Sequence, residues 1–225
     1  KSLVQQILTF SRKNEGHLIP QRLQPVIAEA VGLLRTTIPS MIRIETRIDP
    51  DCPPVLADGT QIHQVIMNLC TNAWHAVSEE NGLIEVVFSP ARLTSESARV
   101  RTDLPSGDYA CLSVRDNGHG MTATVQEHLF EPFFTTKPKG RGTGLGLAVV
   151  HGIIQGHNGV IFVQSRPGEG TKFEIFLPAI VETGAGPVAA LPEVIRAGPH
   201  DRIILVEDDP LSLATLAGQL QHIGY

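Results

Sequence analysis

The stretch "RGTGLGLAVVHGII", Arg141 to Ile154, sets Gly142, Gly144 and Gly146 at alternate positions and then runs into apolar residues. Glycine reaches backbone conformations closed to other residues and lets a ligand approach the main chain. Two phosphate-binding patterns fail here. A dinucleotide fingerprint starting at Gly142 and Gly144 needs glycine at position 147, where Leu147 stands, and the Gly-Lys-Ser/Thr of a P-loop occurs nowhere. What survives is a glycine-rich segment feeding a helix, expected over 143–156, whose free N–H groups and positive dipole end face an anion.

Composition narrows the rest. A chain of 225 residues with 42% hydrophobic content can bury at least one substantial core. A net charge of −5 without a Lys/Arg stripe argues against general nucleic-acid binding. Cys52, Cys70 and Cys111 lie far apart, without CxxC spacing or companion histidines, and read as buried thiols of a reducing compartment. No run has transmembrane length and no signal peptide is evident. The chain opens on "KSLVQQILTFSRK", where Leu3, Ile7, Leu8 and Phe10 have near-helical spacing, as at the end of an amphipathic helix.

Downstream, "NEGHLIPQRLQP" reads as turns, Val26 to Leu34 as a helix and "IRIETRID" as a strand. A long helix should follow the loop at "DCPPVLADG", with Asp58 as N-cap and Gln61, three residues on, completing a capping box. "LIEVVFS" and "YACLSVRD" form a strand pair around a long polar loop, and "GVIFVQS" and "TKFEIFLP" form a second hairpin. Strands in adjacent pairs among helices predict a two-layer α/β sandwich, one mixed sheet with helices on one face. "VETGAGPVAALPEVIRAGPHD" reads as a linker, before a strand and acidic cluster in "RIILVEDDP".

Three segments carry chemistry. Asn68 and Asn72, one turn apart, share a helix face, with His75 on a neighbouring line; an Asn carbonyl is a neutral oxygen ligand suited to a Mg²⁺ whose charge phosphates balance. Asp116 in "RDNGHGM" offers a carboxylate that only accepts hydrogen bonds, matching the exocyclic amine of adenine, while Gly118 and Gly120 let the chain fold back on a flat ligand. "LFEPFFTTKPKGRGTGLGL" joins Phe130, Phe133 and Phe134, as anchors of a mobile loop or as core, to Lys137 and Arg141 as phosphate-binding cations. Read singly, these are also a solvated helix face, an Asx turn and packing residues.

The ordered series "QVIMNLCTNAWHA", "DNGHGM", "FEPFFTTK", "GRGTGLGL" and "GEGTKFEIFLP" resembles the N, G1, F and G2 boxes and closing strands of the catalytic ATP-binding domain of sensor histidine kinases, in the GHKL ATPase superfamily. The resemblance implies ATP and Mg²⁺ as cofactors, Asn72 as a metal ligand with Asn68 beside it, and Asp116 as the adenine reader, with Gly118 and Gly120 shaping the pocket. It implies Thr171 near the base. Lys137, Arg141 and the segment Gly142, Thr143, Gly144, Leu145 and Gly146 would hold phosphates, as a lid over the ligand. His75 stands where many relatives carry a phosphate-contacting lysine.

"LVQQILTFSRK" resembles the end of the dimerisation and phosphotransfer domain, and "RIILVEDDP" the first strand of a receiver, whose metal-binding acidic pair would be Glu207 and Asp208. The implied organisation is a hybrid kinase cut at both ends: helix end 1–19, catalytic domain 20–180, linker 181–201 and receiver start 202–225. None of the nine histidines has the context of the family's phosphoacceptor, so the implied acceptor lies on a helix outside the chain. A homodimer through those helices, a receiver or response regulator as partner, and cytoplasmic placement with any membrane attachment through sequence outside the chain are the corresponding expectations. Two alternatives are a GHKL ATPase that hydrolyses ATP and a non-catalytic nucleotide-binding module. Hydrolytic relatives carry a glutamate base at the position of Asn68, and an amide cannot take a proton from water.

Overall fold

The computed structural model describes residues 18–78, 80–93, 105–137 and 143–180. All belong to the first of two compact units, Lys1–Val181 and Glu182–Tyr225. The expectations placed on residues 1–17, on the linker and on the receiver start lie outside the described residues.

The elements run β1 (Ile19–Gln21), α1 (Gln24–Thr37), β2 (Arg43–Ile48), β3 (Val55–Ala57), α2 (Gly59–Ala76), β4 (Leu83–Leu93), β5 (Gly107–Asp116), α3 (Ala123–Glu127), α4 (Gly146–Gly156), β6 (Val160–Arg166) and β7 (Gly170–Pro178). Five strands form a sheet in the order β2-β4-β5-β7-β6. β2 pairs parallel with β4 and every other pairing is antiparallel. β1 and β3 make a separate antiparallel pair.

The period of two sorts the sheet into faces. Ile84, Val86 and Phe88 of β4, Ala110, Leu112 and Val114 of β5, and Phe173, Ile175 and Leu177 of β7 join one core cluster with the buried stripes of the helices. α1 supplies Ile27, Ala30, Val31 and Leu34; α2 supplies Ile62, Val65, Ile66, Leu69, Cys70 and Ala73. Leu93, Tyr109, Cys111 and Phe176 form a second cluster that contains no helical residue. The mixed sheet with helices on one face is therefore as expected from the sequence, and all three cysteines are buried free thiols.

The structure corrects several boundaries. α4 begins at Gly146, not at residue 143, because Gly144 takes a left-handed φ of 66° and breaks the run. β1 and β3, read as turns and loop, are three-residue strands too short for a periodic signal. The segment between β5 and α4 contains the short helix α3.

The capping box is only half made. Asp58 Oδ1 accepts from the N–H groups of Thr60 and Gln61 at 2.9 and 3.3 Å, but the Asp58 N–H goes to His157 Nε2 at 3.0 Å, not to the Gln61 side chain. His157, at the end of α4, is 3% exposed, and its Nδ1 lies 2.8 Å from the Ile153 carbonyl. A backbone N–H donates and a carbonyl accepts, so the network assigns the ring hydrogen to Nδ1 and the lone pair to Nε2. One imidazole thus ties the start of α2 to the end of α4.

Replacing His157 by Ala leaves the part-buried Asp58 N–H without its partner and should cost about 1 kcal/mol. Urea denaturation of the 225-residue chain should show a lowered midpoint at unchanged slope. An unchanged midpoint would mean the clasp adds nothing.

Candidate nucleotide site

Asp116 ends β5 on the helical side of the sheet and is 5% exposed. Its Oδ1 accepts from the N–H of Gly118 at 2.9 Å and of Thr171 at 3.3 Å; Oδ2 accepts from no described residue. Burial pushes the carboxyl above the usual aspartate range, and the two backbone N–H groups, with His119 and Arg115, pull only part of the way back. The site therefore presents one acceptor oxygen on an otherwise buried carboxylate.

The turn after Asp116 is seated on α2. His119 N–H donates to the Ala76 carbonyl at 3.0 Å, and a side chain at Gly118 would run into that same carbonyl. Gly120, with φ of 65°, lies so close to the Arg166 carbonyl that no Cβ fits between them. Met121 N–H donates to Ser165 Oγ at 2.8 Å, and Ser165 Oγ in turn meets Gly170 O and Thr171 Oγ1 at 3.0 and 2.9 Å. Ser165, which the sequence did not single out, links the turn to Thr171 beside Asp116; only strand register could have revealed it.

On α2, Asn68 and Asn72 share a face as expected, with divergent roles. Asn68 Nδ2 donates to the carbonyl of Gly146, the first residue of α4, at 3.4 Å. Asn72 Oδ1 receives Lys137 Nζ at 3.3 Å, and the same Nζ lies 3.3 Å from His75 Nδ1. An ammonium only donates, so both partners are acceptors and the His75 hydrogen is assigned to Nε2. Burial lowers the Lys137 pKa.

The residues just before α4 are bonded to Phe133. Phe133 has φ of 69° and donates its N–H to Gly144 O at 2.9 Å; a Cβ on Gly144 would run into the Phe133 main chain. Leu145 precedes α4 without any side-chain cap, so the first-turn N–H groups lack a side-chain acceptor and can meet an anion. Thr143 Oγ1 accepts from Leu145 N–H at 3.4 Å. Phe130 packs against the main core and stacks on His151 at 4.8 Å. Phe133, expected to be partly core, is instead 67% exposed.

The described part of the expected site therefore converges. Asp116, Gly118, Gly120 and Thr171 form one wall, while Asn68, Asn72, His75 and Lys137 meet on α2, next to Thr143, Gly144, Leu145 and Gly146. Arg141 and Gly142, like Glu207 and Asp208, lie outside the described residues. Among the described residues no three His, Cys, Asp or Glu side chains gather as a metal cage.

Comparison with known proteins bears on the family and the fold. Residues 57–180 match the family described as Histidine kinase-, DNA gyrase B-, and HSP90-like ATPase. Sensor kinase CckA of Brucella abortus is 37% identical over 233 residues, covering 100% of this chain and 24% of its own length. Signal transduction histidine-protein kinase AtoS of Escherichia coli is 32% identical, covering 78% of this chain and 26% of its own. The chain thus spans about a quarter of these relatives. The catalytic domain of histidine kinase ThkA, solved nucleotide-free, aligns at 30% identity with a TM-score of 0.57 over 72% of this chain and 95% of its own. Full-length ShkA in complex with AMPPNP shares the fold, with a TM-score of 0.63 at 24% identity over 79% of this chain and 35% of its own. With the family match covering more than half of the 225 residues and a mixed sheet that sets Asp116 beside the asparagine helix, the chain belongs to the histidine kinase, DNA gyrase B and HSP90-like ATPases and carries the ATP-binding catalytic domain of a sensor histidine kinase.

Proposed function

We propose that this domain presents the γ-phosphate of Mg-ATP to a histidine imidazole on a helix outside these 225 residues, for relay to a receiver aspartate. The observation that carries this reading is Asn68. At the position where hydrolytic relatives hold a glutamate, an amide is engaged with the Gly146 carbonyl, so this position offers no base to activate water. An imidazole needs none, since its own lone pair attacks phosphorus as ADP leaves.

The remaining roles follow from placement. Asp116 Oδ2 accepts the adenine amine, and the first turn of α4 with Lys137 meets phosphate oxygens. Asn72 Oδ1 fits Mg²⁺ as a neutral oxygen donor; the ion, when bound, offsets phosphate charge. Residues 1–19, 181–201 and 202–225 are proposed as the end of a dimerisation helix, a linker and a receiver start, in a cytoplasmic homodimer that works with a receiver or response regulator. No described helix is long and apolar enough to cross a membrane.

Incubated with radiolabelled ATP, the chain alone should take up no acid-labile label, whereas an added dimerisation hairpin bearing its histidine should become labelled. Label on this chain alone would place the acceptor within it and overturn the assignment of an outside histidine.

Asp116 gives a second test. ATP should bind more tightly than GTP, and Asp116→Asn should cost about 1–3 kcal/mol, because an amide can mispair where only an acceptor fits. Adenine needs the ionised carboxylate and burial raises its pKa. Affinity should therefore be full near neutrality and fall on acidification, beginning at a pH above the ordinary aspartate range. Calorimetry across pH should find this acid limb in the wild type and not in D116N; equal affinities for ATP and GTP would refute the adenine assignment.

A further inference from the structure

Lys137 Nζ lies 3.3 Å from Asn72 Oδ1, the oxygen proposed for the metal, and 3.3 Å from His75 Nδ1. Lysine here does more than border a phosphate site. Its ammonium sits on the metal's own ligand, held from the other side by a ring nitrogen one turn along the same helix. One amide oxygen cannot face a divalent ion and an ammonium along the same direction, since the two cations repel at contact distance.

We propose that Lys137 is a built-in stand-in for the metal, sharing Asn72 Oδ1 with Mg²⁺ in alternation and letting the domain hold a nucleotide that carries no metal. Mg²⁺ displaces the ammonium from Asn72; without Mg²⁺ the ammonium stays and supplies the positive charge the phosphates require. His75 acts as a positioning residue, giving the ammonium a second acceptor. The inference rests on the reading of Asn72 as metal ligand in the proposed nucleotide site.

The quantity to measure is the ratio of the ATP dissociation constant in excess EDTA to that in excess Mg²⁺, by calorimetry on the 225-residue chain. Lys137→Met should raise this ratio roughly tenfold, because it loses a charge-assisted contact in EDTA and much less in Mg²⁺. Lys137→Arg keeps a cation and should restore most of the metal-free affinity. His75→Ala should raise the ratio in the same direction by a smaller factor. Without any ATP, the side-chain amide resonance of Asn72 should move in K137M while that of Asn68 stays. Equal weakening in both conditions would make Lys137 an ordinary phosphate ligand and overturn the proposal, as would no weakening in either, or a ratio in K137R as high as in K137M. If the wild type binds no ATP in either condition, the nucleotide reading itself falls, and this inference with it.

Discussion

A carboxylate that is 5% exposed has to be held by backbone, and the way Asp116 is held organises the molecule around it. One of its two donors, the Gly118 N–H, lies in the turn that follows it; the other, the Thr171 N–H, belongs to the neighbouring strand β7. Both fix Oδ1, which leaves the second oxygen aimed by the fold. The turn can supply its N–H only by doubling back, and it can double back only where the chain passes the Arg166 and Ala76 carbonyls without side chains of its own at Gly118 and Gly120. The glycines of "DNGHG" serve the carboxylate before they serve any ligand.

The same economy joins α2 to α4. Asn68 reaches the first carbonyl of α4, and His157 returns from the end of α4 to the first N–H before α2. Two polar bonds therefore fix both ends of the contact between the helix that carries Asn72 and the helix whose first turn has no side-chain cap. Packing of the apolar stripes alone would allow sliding by a ridge; bonds with directional donors and acceptors do not. Register matters here because the proposed nucleotide site draws on both helices.

How far all this can be read from sequence depends on how local the cause is. The period of two in β4, β5 and β7 and the stripe of α2 are local, so the sheet, its core face and the Asn68–Asn72 pairing are legible. Asp58 as N-cap is legible for the same reason. Its partner is not: residue 61 has the right spacing to complete the box, and the ring that takes the N–H comes from 99 residues away. Ser165 is hidden likewise, being an ordinary strand residue until the β6–β7 register sets it opposite Thr171. The start of α4 was misplaced because Gly144 serves the Phe133 main chain and not the helix. Phe133 itself misleads, as an aromatic among aromatics reads as core while its left-handed backbone turns it outward.

The one parallel pairing in the sheet has a kinetic consequence. β2 and β4 lie side by side in register from Arg43–Leu83 to Ile48–Phe88, and parallel neighbours require a crossover, here the segment holding β3 and α2. The asparagine helix is thus the loop whose closure entropy must be met before the edge of the sheet can form. A chain with the antiparallel strands β4, β5, β7 and β6 already assembled but β2 still free would lack a seated α2, and with it the Ala76 carbonyl that holds the turn after Asp116. A nucleotide bound as proposed above would bind such a species poorly, and so would favour the completed fold by mass action. The ligand would then act as a selector of finished molecules, with the crossover as the step it inspects.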